Sequence, residues 1–181
     1  MFVCRHVADS LYFFLVPGGN NVINHIQGME PCCDVMEFGE VRYGSHFTDN
    51  KPLVHKITNT NPSEDMCGLD AEILKRPPIV NPIPMVASYH TLIKTRPKCR
   101  VYHLVLPPGE TVELNYPFFF VTVVVGGGSA IEKSIPTGNR HLTYTESYEK
   151  GHVEWNQPIF GIQLTNKNTD TPFEQYIAEW C

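Results

Sequence analysis

The feature that most constrains this 181-residue chain is that it repeats itself. Phe38-Gly39-Glu40-Val41-Arg42-Tyr43 matches Lys150-Gly151-His152-Val153-Glu154-Trp155, 112 positions later. Ile57-Thr58-Asn59-Thr60-Asn61 matches Leu164-Thr165-Asn166-Lys167-Asn168, 107 positions later, and that spacing runs on to Ala71-Glu72-Ile73 against Ala178-Glu179-Trp180. Upstream, Val16-Pro17-Gly18-Gly19 matches Val125-Gly126-Gly127-Gly128 at a spacing of 109. The blocks are short but keep their order. A chain of this kind folds as two copies of one small unit.

Each copy reads as β-structure. Runs rich in Val, Ile, Phe, Tyr and Thr fall at Tyr12 to Val16, Val22 to Ile26, Val35 to Phe38 and Val54 to Asn59 in the first copy. Those of the second are Arg100 to Leu106, Phe118 to Val125, Gly161 to Asn166 and Phe173 to Trp180. Gly- and Pro-rich turns separate them, among them Pro17-Gly18-Gly19, Pro107-Pro108-Gly109, Gly126-Gly127-Gly128 and Thr137-Gly138-Asn139. No segment holds a helical period, so an all-β sandwich or barrel is expected. The prolines at 77, 78, 82, 84 and 97 predict a stiff connector. The organisation is therefore a first half over residues 1–75, a connector over 76–98 and a second half over 99–181. Within the connector, Val86 to Ile93 reads equally as a strand or as linker.

The copies are unequal. Arg100 to Leu106 and the turn after it have no counterpart in the first half, since at a spacing of 109 they would precede Met1. Either the first half lacks its first strand, or the true start lies further upstream, or Val86 to Ile93 substitutes for that strand. An open sheet edge invites pairing with a second chain, so a homodimer is expected.

Composition excludes several roles. Net charge is −5 with no basic run, which removes the electrostatic footprint of a nucleic-acid binder. The longest apolar run, Pro117 to Val125, is of strand length, so no membrane span is expected. The N-terminus lacks the pattern of a signal peptide, and a cytoplasmic location is expected. The six cysteines include an adjacent pair, Cys32-Cys33, but no CxxC, and are expected as free thiols.

The paired motifs resemble those of the cupin superfamily. Gly39-Glu40-Val41-Arg42-Tyr43-Gly44, followed by His55-Lys56-Ile57-Thr58-Asn59, is similar to the second cupin motif, and its terminal H-x3-N is intact. Cys4-Arg5-His6 stands in the H-x-H place of the first motif, with Leu11 where that motif has Glu. The second half offers Glu113, Asn115 and Ile162 at the corresponding places. The resemblance implies two cupin-type jelly-roll β-barrel halves in tandem. It also implies that His6 and His55 point into one cavity, with Tyr12 and Asn59 beside them. Cupins commonly hold a divalent metal at these places. Such a metal (Fe, Mn, Ni or Zn) is expected only in the first half, on His6 and His55, with Cys4 and His46 as further ligands.

Three functions follow from the resemblance. The first is small-molecule binding in the first barrel around a degenerate metal site. The second is a metal-dependent oxygenase or isomerase using His6 and His55. The third is a metal-free acid–base enzyme with His55 as base. If either half carries a pocket, the first is expected to, because Ile162 replaces His55 in the second.

Overall fold

The computed structural model describes residues 2–15, 20–45, 52–75, 82–126 and 130–180. Val16 to Gly19, His46, Pro77, Pro78, Gly127 and Gly128 lie outside them. The chain divides into two compact units, Met1–Lys75 and Arg76–Cys181. Among the described residues every regular element is a strand.

The first unit holds β1 (Phe2–His6), β2 (Asp9–Phe14), β3 (Asn20–Ile26), β4 (Cys32–Met36), β5 (Val41–Gly44), β6 (Leu53–Asn59) and β7 (Gly68–Ile73). They form two antiparallel sheets, ordered β1-β6-β3-β4 and β5-β2-β7. Phe14 of one sheet packs with Val22 and Met36 of the other, and Tyr12, Ile57 and Met66 extend the contact.

The second unit holds β8 (His90–Arg96), β9 (Cys99–Leu106), β10 (Thr111–Tyr116), β11 (Phe120–Gly126), β12 (Ala130–Thr137), β13 (Arg140–Ser147), β14 (Val153–Asn156), β15 (Ile159–Asn166) and β16 (Phe173–Trp180). Its sheets are β10-β15-β12-β13 and β14-β11-β16-β9-β8. The core between them is aromatic. Tyr116 and Phe118 stack at 5.7 Å, and Phe120 meets both edge-on.

Strand order makes the repeat physical. β1-β6-β3-β4 corresponds to β10-β15-β12-β13, and β5-β2-β7 to β14-β11-β16. The matched sequence blocks are the joints of this plan. Gly39 and Gly151 both adopt positive φ, 74° and 85°, a conformation that favours glycine. Each N–H then donates to the equivalent carbonyl, Phe14 O and Val124 O, at 2.8 Å. Asn59 and Asn166 each accept from the backbone N–H two residues on, a side-chain-closed turn that explains the repeated Asn-x-Asn.

β8 and β9 are what the second unit has in addition. The stretch expected as connector, 76–98, carries β8, and β8 pairs with β9 of the second unit. It therefore does not stand in for a missing strand of the first. Among the described residues β7 ends its sheet, whereas the equivalent β16 is paired with β9.

The pairing register corrects one sequence alignment. Cys4 lies opposite His55, and Leu114 opposite Ile162. Leu11 lies opposite Ala71, and Val121 opposite Ala178. The spacing between equivalent early strands is thus 110, not 109, and His6 corresponds to Tyr116, not Asn115. A shift of one residue exchanges the two faces of a strand. Glu113 and Asn115 accordingly face outward, while Val112, Leu114 and Tyr116 are buried.

Two outcomes test this architecture. Phe118 is fully buried among Tyr102, Tyr116 and Phe120, so Phe118→Ala should cost about 3–5 kcal/mol in denaturant unfolding. Glu179 is also fully buried, accepting from Tyr102 at 2.7 Å and from Arg100 at 3.2 Å. Burial raises its carboxyl pKa above the ordinary 4.5 despite those two partners. The folded state then holds this proton more tightly than the unfolded chain does. The associated stability is present below 4.5 and is lost as pH rises through the raised value. Glu179→Gln should flatten that part of the melting-temperature profile against pH.

Candidate functional site

In the first unit the strand pleat collects a chemical cluster between the two sheets. Cys4 and His6 are two residues apart on β1 and share a face. His55 on β6 is the direct cross-strand partner of Cys4. The thiol of Cys4 and the ring nitrogens of His6 and His55 lie within 4.8 Å of one another. His6 and His55 are 2 % and 6 % exposed, and their Nε2 atoms are 2.9 Å apart.

The surroundings of the rings dictate their tautomers. His6 Nδ1 faces two carboxylates of β7, Glu72 at 3.2 Å and Asp70 at 3.5 Å. His55 Nδ1 is 3.1 Å from the Asn24 side-chain oxygen on β3. Carboxylate and amide oxygens accept, so both Nδ1 atoms carry hydrogen and donate. A neutral imidazole protonated at Nδ1 presents a lone pair at Nε2. Two lone pairs would then face each other at 2.9 Å, which is repulsive unless a cation lies between them. A proton does this by making one ring an imidazolium, and a metal ion does it by coordination.

Nearby groups complete the site. Tyr12 on β2 has its hydroxyl 3.4 Å from His6 Nε2. Burial pushes the Tyr12 phenol well above its ordinary range, reinforced by Asp70, so it remains a hydrogen-bond donor. Burial, and then Asp70, also raises the Cys4 thiol. The Asp70 carboxyl is pushed up by its own burial, against the pull of His6.

Of the residues singled out from sequence, Cys4, His6, Tyr12 and His55 come together here. His46 lies outside the described residues. Asn59 does not line the cluster. Its amide donates to Glu64 O at 2.7 Å and its oxygen closes the 59–61 turn, so its work is local. Leu11, in the place of the motif glutamate, is fully buried apolar core. The carboxylates come instead from Asp70 and Glu72, and the amide from Asn24, which sequence reasoning did not pick out. The only signal for the acids was their alternation in Gly68-Leu69-Asp70-Ala71-Glu72-Ile73, which places both on one strand face.

With fold and cluster described, the likeness to known proteins can be placed. No family model matches the sequence, and no curated protein matches it. Solved structures do. YhhW from Escherichia coli aligns with a TM-score of 0.60 and 13% identity, over 99% of this chain and 75% of that one. A cupin 2 conserved barrel domain protein from Leptotrichia buccalis gives 0.51 and 10%, over 99% and 77%. Oxalate decarboxylase from Bacillus subtilis gives 0.53 and 10%, over 98% of this chain and 64% of its own, so the present chain spans under two thirds of it. At these identities the likeness is one of fold. The chain has the cupin fold, as two jelly-roll halves in tandem.

Long-range proton–nitrogen NMR tests the tautomer argument. Both His6 and His55 should show protonated Nδ1, and Asn24→Ala should release that preference at His55 alone.

Proposed function

We propose that the first unit binds one divalent metal ion through Cys4, His6 and His55 and presents it to a small molecule. The observation that carries this reading is the pair of Nδ1-protonated rings whose Nε2 atoms converge beside a thiol. Metal-ligating histidines are typically held in this way, the second ring nitrogen donating to a carboxylate or amide. Glu72 and Asp70 play that part for His6, and Asn24 for His55.

The donor set fits a metal. Two imidazoles and a thiolate favour zinc, iron or nickel over manganese, which prefers oxygen ligands. Three protein ligands leave a position for water or substrate, where a bound metal would act as a Lewis acid. Tyr12 stands beside that position as a hydrogen-bond donor. The buried rings and the second sheet restrict solvent, and Asp70 is placed to take up or hold a proton. One of the solved structures of oxalate decarboxylase is described by its Mn(II) centres. The sulfur ligand argues for a different metal in this chain. Small-molecule binding is thus the coarse function, and metal-assisted chemistry at His6 and His55 is the finer one.

Titration with Co(II) reads this directly, because a thiolate ligand produces a charge-transfer band. One equivalent should bind with that band present. His55→Ala should abolish binding, and Cys4→Ser should remove the band. Asn24→Ala should weaken affinity about 10–100-fold while leaving the ligands in place. No stoichiometric uptake of Co(II), Zn(II), Fe(II) or Ni(II) by the intact chain would overturn the metal reading.

The unpaired position of β7 supports association of two copies edge to edge. Light scattering should then return a dimer at micromolar concentration, and Ala71→Pro should shift it toward monomer.

A further inference from the structure

The second unit contains a cavity of about 190 Å³ between its sheets. It occupies the place of the first unit's cluster: Tyr116 and Ile162, which line it, correspond to His6 and His55. Sequence reasoning placed any pocket in the first half, because it weighed only metal ligands. Replacing two imidazoles by a phenol ring and an isoleucine removes the ligands, yet leaves space.

The cavity is divided in character. One wall is apolar, with Leu114, Phe120, Ile135 and Phe173 joining Tyr116 and Ile162. The other carries inward-facing polar groups from four strands, including Thr122, Lys133, Glu154 and Gln175. Thr122 and Gln175 are each 7 % exposed, and neither side chain has a hydrogen-bond partner among the described residues. Polar groups buried in this way cost stability unless something satisfies them. Both strands have apolar neighbours at the adjoining inward positions, Phe120 and Val124 on β11, Phe173 and Ile177 on β16. Thr122 and Gln175 are therefore local exceptions to an apolar row.

Charge narrows what fits. Lys133 Nζ lies 2.7 Å from Glu146 and 3.9 Å from Glu154, and 4.9 Å above the Tyr148 ring. Glu154 also meets His152 Nε2 at 3.1 Å. One ammonium is shared by two carboxylates, so the polar end is not short of negative charge. An anionic ligand would have to displace a carboxylate from Lys133. A neutral hydroxyl can accept from Lys133 or the Gln175 amide and donate to Glu154 without disturbing either pair. Size sets the remainder. A dry cavity of about 150 Å³ accepts benzene, so this one holds a single six-membered ring with one or two small substituents.

We infer that the second unit is a binding site for a neutral, single-ring phenolic compound. The ring lies against Tyr116, Phe120 and Ile162, and its hydroxyls meet Thr122, Gln175 and the Lys133–Glu154 pair. This site is independent of the metal reading of the first unit, since none of its residues belongs to that cluster.

The test uses the full chain and resorcinol, whose meta hydroxyls do not chelate a metal, so that binding in the first unit is not mistaken for it. Methyl NMR of Ile135 and Ile162 follows occupancy directly in the wild-type protein. Resorcinol should bind saturably and shift both methyl signals. Benzoate, similar in size but anionic, should bind at least about tenfold more weakly. Gln175→Leu, close in shape but without the amide, should weaken resorcinol about tenfold and leave toluene unchanged or tighter. Ile162→Trp fills the space and should abolish binding of both rings. The inference is overturned if wild type shows no saturable resorcinol shift, in which case the cavity holds water only. It is equally overturned if benzoate matches resorcinol, or if Gln175→Leu leaves resorcinol affinity unchanged.

Discussion

Antiparallel pairing of β1 with β6 sets Cys4 opposite His55, and the pleat then turns His6 to the same side of the sheet. Every chemical property of the first unit depends on that parity. Slip the register by one residue and Val3 and Arg5 would face inward while the thiol and imidazole faced solvent. The register is held at the far end by β2 and β7, whose inward positions supply Tyr12, Asp70 and Glu72. The two sheets thus constrain one another through polar contacts as well as through Phe14, Val22 and Met36.

The two units show what one scaffold does with different residues at the same places. Where the first has Cys4, His6 and His55, the second has Leu114, Tyr116 and Ile162. Asn24, which orients His55, corresponds to Lys133, and Asp70 to Ile177. The first unit spends its interior on a compact polar cluster whose members satisfy one another. The second fills most of its interior with stacked aromatic rings and leaves a chamber beside them. Glu72 and Glu179 remain equivalent, but Glu72 serves a histidine, whereas Glu179 is buried against Tyr102 and Arg100. Duplication has preserved joints, and the interior has diverged around them.

Much of this was legible in the residues. The repeat blocks announced two halves because they coincide with backbone joints that tolerate few alternatives: Gly39 and Gly151 at positive φ, Asn59 and Asn166 closing their turns. Alternation within Cys4-Arg5-His6 was enough to put thiol and imidazole on one face. Strands of mixed polarity were harder to see. β12 and β13, Ala130–Thr137 and Arg140–Ser147, have charged and hydroxyl residues on both faces, so their pattern carries little hydrophobic signal. Their hairpin shows itself only at the Gly138-Asn139 turn.

Sequence by itself determined the β class, the duplication, and the candidacy of Cys4, His6 and His55, because each rests on local periodicity or on a repeated turn. Tertiary structure decided the remainder, because it depends on which strands become neighbours. Only pairing between β1 and β6 shows that the two imidazoles converge at 2.9 Å. Only the facing sheet brings Asp70 and Glu72, more than sixty residues away along the chain, to His6. The offset of 110 between equivalent early strands could be read only from registers, since a gap of one residue is invisible in short, weakly matched blocks. The chamber of the second unit has no sequence signature at all. It is the volume left over when inward side chains from six strands fail to fill the space between two sheets.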